Sequence, residues 1–374
     1  MRRGPALQDL GIIEDGSILI REGLIETIGT TRRIENLKEV RGALEIPVNG
    51  MVVMPGFVDP NLRLTLDKGS RGSGRPAKRR KLADFYSESL SLLRSCQQHG
   101  TLNAAIKAGT DSNDWRSDIS VIRRLAEVGD NPVRVLRVWR LSWPSDLLQS
   151  DATFGDFADT LHYLVSRKLI QFLEFEADGQ HCPPDRLWIS IQETGLGISL
   201  LWPGGPSGLL ADLLARTRPI NVCLPFSLSP AECALVSNTS GAAIFSVGKE
   251  VLEESATNSV RQLARDGAAI TLSSGYDSTG NPTFSMQMVI ALAVLRLGLS
   301  PEEAISASTI NAAHAVGLGH SIGSLEAGKR ADVLVLNVPD YRELPGRFGI
   351  NHAGMVIRDG NIVFNRTRWK VTAS

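Results

Sequence analysis

The residues best suited to chemistry are sparse, and their spacing is unhelpful to a metal. The chain has six histidines: His99, His162, His181, His314, His320 and His352. None of them forms an HxH or HExxH pair, the spacings that bring two imidazoles onto one ion. Four cysteines, Cys96, Cys182, Cys223 and Cys233, form no CxxC pair. They predict neither a zinc knuckle nor a disulfide framework, and a reducing compartment fits them. Ser273, Ser274 and Ser278 have no histidine nearby in sequence, and no GxSxG occurs, so an acyl-transfer triad is not indicated. Glu174 and Glu176 are spaced to share one face of a strand. Trp139, Trp143 and Trp202 lie near predicted strand ends, where they could floor a pocket or pack at its rim.

Composition narrows the classes further. Hydrophobic residues make up 43% and charged residues 21% of the 374 residues, which excludes a wholly disordered chain. Lys plus Arg equals Asp plus Glu at 40 each, so no global field draws the protein to nucleic acid or an anionic membrane. Gly69 to Lys81 is an exception, with six basic residues, three glycines and one proline. Against a neutral chain it reads as a solvated loop rather than a nucleic-acid patch. The N-terminus lacks the apolar core of a signal peptide, and no run of about 18 apolar residues suggests a transmembrane helix. A cytoplasmic location is the expectation.

These residues must be held by the elements the patterning predicts. The first 55 residues read as short strands: Ser17–Arg21, Leu24–Gly29, Ala43–Val48 and Met51–Val53. The last 50 residues echo them with Ala331–Leu336, Gly354–Ile357 and Ile362–Phe364, the last entered through an Arg358-Asp359-Gly360-Asn361 turn. The middle alternates. Eight strand candidates are Gly56–Asp59, Leu102–Ile106, Val133–Val138, Ile170–Phe175, Gly197–Leu201, Ile220–Leu224, Ala242–Phe245 and Ala268–Ser273. Helical stretches separate them, and Ser285–Leu297 and Pro301–Val316 follow the last. Ser229-Pro230 and Ser300-Pro301 place an N-cap before a first-turn proline. Eight such units predict a (β/α)8 barrel of about 250 residues. A doubly wound open sheet is the competing arrangement, but no GxGxxG follows the first strand.

Two stretches are more specific than periodicity. One is Val52-Val53-Met54-Pro55-Gly56-Phe57-Val58-Asp59-Pro60-Asn61-Leu62-Arg63. The other is Ser308-Thr309-Ile310-Asn311-Ala312-Ala313, with Gly323-Ser324-Leu325-Glu326-Ala327-Gly328-Lys329-Arg330-Ala331-Asp332 beyond it. Together they resemble the amidohydrolase superfamily at its entry into barrel strand 1 and its exit into a β domain. Gly280 to Met286 and Pro339 to Asn351 are similar to the imidazolonepropionase branch. The resemblance implies a (β/α)8 barrel over residues 56–324. It also implies a small composite β-sandwich domain from residues 1–55 and 325–374. It further implies a hydrolase of cyclic amide or related C–N bonds, with zinc, iron or manganese at the mouth of the barrel. Such a metal makes hydroxide from bound water and polarises the substrate carbonyl.

The ligand positions that the resemblance carries over hold other residues. The strand 1 pair falls on Asn61 and Arg63, a weak neutral oxygen and a cation with no lone pair to give. The strand 5 and strand 6 histidines fall near Leu200–Leu201 and Leu224–Pro225. The strand 8 aspartate falls on Gly275. Asp277, Glu176 and Asn61 are an oxygen set for Mg²⁺ or Ca²⁺ in principle, but Arg63 opposes it. No metal and no other cofactor is therefore expected. Lys107 fits the family's strand 2 lysine. With Arg63 it predicts a cationic mouth for a small anionic ligand, lined also by Glu176, Trp202, Gly275, Tyr276 and Asp277. The bland alternative pairs these cations with Glu174, Glu176 or Asp277.

Three functions follow as expectations. The first is a degenerate, metal-free homologue that binds a ligand or partner. The second is an active hydrolase rebuilt around Lys107 or Asp277. The third is an assembly partner of an active paralogue. A homodimer is expected by analogy.

Overall fold

A computed structural model of the protein describes residues 1–64, 81–109, 115–129, 131–143, 151–248, 251, 256–277, 281, 283–366 and 372–373. Residues 151–153, 256–257 and 372–373 are described by backbone alone. Ser278, and the basic segment apart from Lys81, lie outside the described residues.

Eight parallel strands form one sheet in chain order. They are Phe57–Arg63, Thr101–Gly109, Arg134–Ser142, Phe172–Glu176, Gly197–Leu201, Asn221–Leu224, Ala242–Ser246 and Ala269–Ser273, called barrel strands 1 to 8 below. The sheet curls until its ends meet. Leu62 of strand 1 forms a parallel bridge with Tyr276, just beyond strand 8, and the Arg63 N–H donates to the Tyr276 carbonyl at 2.9 Å. This is the (β/α)8 barrel, and it excludes the open doubly wound sheet.

The alternation of each strand decides which side chains reach the axis. In strand 2, Leu102, Ala104, Ile106 and Ala108 face the helices and join the main core. Ala105 faces inward with Val58, Leu136 and Val138. Lys107 shares its parity. Ala312, Ala313 and Val316 close the inner apolar layer from below.

Helix starts follow the capping signals. Ser229 and Ser300 each accept the backbone N–H three residues on, and Glu232 and Glu303 reach back to the cap N–H. The expected single helix from Pro301 to Val316 is two, Pro301–Ser308 and Ile310–Ala315. The break is at Thr309 (φ −123°, ψ −92°), whose hydroxyl donates back to the Ile305 carbonyl at 2.7 Å. The expected strand over Ala43–Val48 contracts to Leu44–Glu45, ahead of Pro47.

A second sheet draws on both ends of the chain. Its antiparallel order is Asn361–Asn365, Ala353–Arg358, Val333–Leu336, Val52–Pro55. Leu334, Leu336 and Val356 face the barrel-side core, whereas Val333, Val335, Met355 and Ile357 pack under Ile46, Val48, Met51 and Leu325. Gly56 joins this sheet to barrel strand 1. A Cβ there would lie 2.6 Å from Leu102 Cδ1, so the close approach requires glycine. Among the described residues no helix is long and apolar enough to cross a membrane.

Candidate functional site

Inside the barrel the polar side chains of strands 2 to 6 converge on one carboxylate. Glu174 is fully buried on strand 4. The Lys107 ammonium from strand 2 donates to its Oε2, and Arg140 Nε from strand 3 donates to its Oε1 at 2.7 Å. Ser199 Oγ is 3.4 Å and Cys223 Sγ 3.7 Å from Oε2. Ser199 also donates to Asn221 Oδ1 at 2.5 Å, and the Asn221 amide donates to the Ala315 carbonyl. Burial alone would raise the Glu174 carboxyl. The charges of Lys107 and Arg140 outweigh it and hold the group down at about 2. Burial pushes the Cys223 thiol up to about 11.

Nearer the mouth, strands 1, 7 and 8 meet through a second set of contacts. Asn61 Nδ2 donates to Ser246 Oγ at 2.7 Å, and the Ser246 and Ser273 hydroxyls lie 3.0 Å apart. Gly275 has φ +59°, and a Cβ there would stand 2.5 Å from Ser246 Cβ. Asn281 folds back into the adjacent space, donating to the Ser274 carbonyl at 2.7 Å and the Gly275 carbonyl at 3.3 Å. Gly248 makes room for it, since a Cβ there would meet Asn281 Nδ2 at 2.3 Å. Arg63 and Asp277 face each other across the seam at 3.9 Å. Beneath them Asp59 clasps the two ends of the sheet. Its carboxylate accepts the N–H groups of Asn61 and Ser274, each at 3.2 Å, and the Ser274 hydroxyl. Burial raises Asp59 to about 6, against the pull of those hydrogen bonds and of Lys107.

This fold, with its mouth at the ends of strands 1, 7 and 8, can be set beside known proteins. The sequence profile of the Amidohydrolase family matches residues 150–363. The chain belongs to the amidohydrolase family. Within it, the imidazolonepropionase of Brevibacillus brevis is 26% identical over 395 residues, covering 96% of this chain and 92% of the relative. That of Geobacillus kaustophilus is 27% identical, again over 96% and 92%. The chain is an imidazolonepropionase-like amidohydrolase. Solved structures agree on the fold. An adenosine deaminase from Xanthomonas campestris, solved with bound zinc, aligns with a TM-score of 0.70 at 15% identity, over 97% of this chain and 92% of its own. The ochratoxinase of A. niger aligns at 0.70 and 16% identity, over 94% and 92%.

The structure sorts this amidohydrolase's candidate residues. It brings together Asn61, Arg63, Gly275, Tyr276 and Asp277 at the seam of strands 1 and 8. Lys107 is placed differently from the expectation: it is buried against Glu174 and is not a cation open to the mouth. Glu176 is half-buried and accepts the Ser142 hydroxyl at 2.5 Å. Trp202 is a correction. It is buried in the helix-side core, and its indole N–H donates to Glu232 at 2.6 Å, so it does not line the mouth. Trp139 stacks on Phe157 in the same layer. His181 is exposed beside Asp178, His99 bonds the Ser95 carbonyl, and His352 lies in the second sheet's neighbourhood beside the Arg347 carbonyl.

Arg140, Cys223, Ser246, Ser273 and Asn281 all take part in the site, and none had been singled out as lining it. A signal existed for Arg140: it is a charged residue at the parity of the inward-facing Leu136 and Val138.

Proposed function

We propose that this imidazolonepropionase-like chain works without a divalent metal, binding a small anionic ligand at the barrel mouth without hydrolysing it. What supports the reading is the chemistry of the groups at the positions that the family resemblance assigns to a metal, none of which suits a cation. At Asn61 the amide nitrogen points to Ser246, a donor where a ligand atom is needed. At Arg63 a guanidinium charge opposes the ion. Leu200, Leu201 and Leu224 offer no donor atom. Gly275 has no side chain, and Ser246 occupies the space that one would need. Among the described residues no group of three or more His, Cys, Asp or Glu is arranged to hold a metal. A divalent ion therefore does not fit these residues.

Arg63 is the residue we assign to the ligand. It is part-exposed at the mouth, 3.9 Å from Asp277, and its guanidinium presents the planar fork that a carboxylate matches. Four free cysteines suit a cytoplasmic setting.

The test is calorimetric titration of the purified protein with imidazolone and hydantoin carboxylates, with product analysis of the same mixtures. The reading expects saturable binding that weakens at least tenfold in Arg63→Ala, and no product. Metal-free turnover that disappears in Asp277→Ala or Lys107→Ala would replace it with the rebuilt-hydrolase reading.

A further inference from the structure

We propose that Lys107 and Cys223 are a modification site: peroxide joins them through one oxygen atom, tying barrel strands 2 and 6 together across the axis. This goes beyond the ligand-binding reading and does not depend on it. The Lys107 nitrogen lies 3.8 Å from Cys223 Sγ, although 116 residues separate them in sequence. Both side chains are buried, so the ammonium and the thiol are held together with little rotamer freedom left to lose. Glu174 touches both, bonding the ammonium and lying 3.7 Å from the sulfur. The same Glu174 oxygen, Oε2, faces both groups. Arg140 fixes its other oxygen at 2.7 Å and keeps it aimed.

Among the described contacts, Cys223 is the cysteine whose sulfur stands beside a lysine. Cys182 is exposed and bonds instead to the Pro183 carbonyl and the Asp212 carboxylate. A single inserted oxygen spans much of the 3.8 Å gap, whereas a direct S–N bond would demand a far larger collapse of the packed interior.

The chemistry balances in two steps. One peroxide oxidises the Cys223 thiol to a sulfenic acid and leaves as water. The Lys107 amine, once its extra proton has passed to solvent, then bonds to the sulfenic oxygen while a second peroxide takes up the two hydrogens lost from O–H and N–H. That peroxide leaves as two waters. One thiol, one amine and two peroxides thus give one S–O–N bridge and three waters, with sulfur and nitrogen oxidised and both peroxides reduced. Burial keeps the thiol protonated, so closure is slow and needs sustained peroxide.

The experiment uses the full chain carrying Cys182→Ser, which removes the exposed thiol. Peroxide treatment is expected to add about 14 Da, one oxygen less two hydrogens. A tryptic map of the same sample should show the Lys107 peptide joined to the Cys223 peptide. Because a cross-link closes a long loop, Tm should rise by about 5 °C. Excess dithiothreitol should reverse both changes, and adding Cys223→Ala should abolish them. The map on the bridged sample stands even if that second variant folds poorly. Gains of about 16 or 32 Da on Cys223 with Lys107 unlinked, the marks of sulfenic and sulfinic acid, would overturn the proposal. So would a Cys223 that stays unmodified.

Discussion

Glu174 is the residue on which the barrel interior turns. It is a buried carboxylate between two cations, and its charge is what makes Lys107 and Arg140 tolerable there. Glu174→Gln keeps the shape and removes the charge. It should lower stability by about 3–5 kcal/mol in urea unfolding, because two cations then lie buried without a counter-charge. A loss below about 1 kcal/mol would mean that the cluster is solvated.

Asp59 behaves in the opposite way with pH. Its folded value, about 6, lies above its ordinary 3.8. Its contribution is therefore fully present below pH 3.8 and is lost as pH rises through 6. Glu174, held at about 2 against an ordinary 4.5, contributes stability above pH 4.5 that is lost as pH falls through about 2. Wild type minus Asp59→Asn should isolate the first effect as a stability difference that declines from pH 4 to pH 7. The decline should be on the order of 3 kcal/mol, with Lys107 the nearby charge common to both proteins. A flat difference would contradict the assignment.

At the scale of elements, the mouth is shaped by glycines as much as by polar groups. Gly275 sits in the left-handed region at φ +59° with Ser246 against it. Gly275→Ala should cost about 1–2 kcal/mol from backbone alone, with the Ser246 contact adding to it. Ser246→Gly in that background should restore part of the loss in a double-mutant cycle, and strict additivity would show that the contact is not felt.

Much of this scale was legible beforehand. Gly197–Leu201 and Ala256–Arg265 run where alternation and helical period place them. Alternation predicts strand 1 only over Gly56–Asp59. It continues to Arg63, with a register irregularity between Asp59 and Leu62 absorbing the proline. Alternation predicts strand 3 only to Val138, short of Arg140, but pairing with strand 4 carries it to Ser142. Both misses have one cause. Partner strands extend a ladder past the point where local propensity ends. The contact of Cys223 with Lys107 had no local signal at all, since only barrel closure brings the two strands together.

At the scale of the whole molecule, the proposal is that the amidohydrolase barrel works without a metal. Two side-chain networks, one around Glu174 and one around Asn61, Ser246 and Ser273, help to hold the strand ends beside the backbone ladder. Stability should then be independent of added metal, since nothing that binds the folded state is withdrawn by a chelator. A single histidine should not reverse this. Arg63→His leaves Asn61, the leucines of strands 5 and 6, and Gly275 unchanged, so it should gain no micromolar zinc affinity.

The most direct test of metal independence is elemental analysis of the purified protein beside its thermal unfolding with and without chelator. Far less than one zinc, iron or manganese per chain is expected, with a Tm that chelation does not move. One tightly bound ion per chain, with a Tm that falls when the ion is stripped, would contradict it.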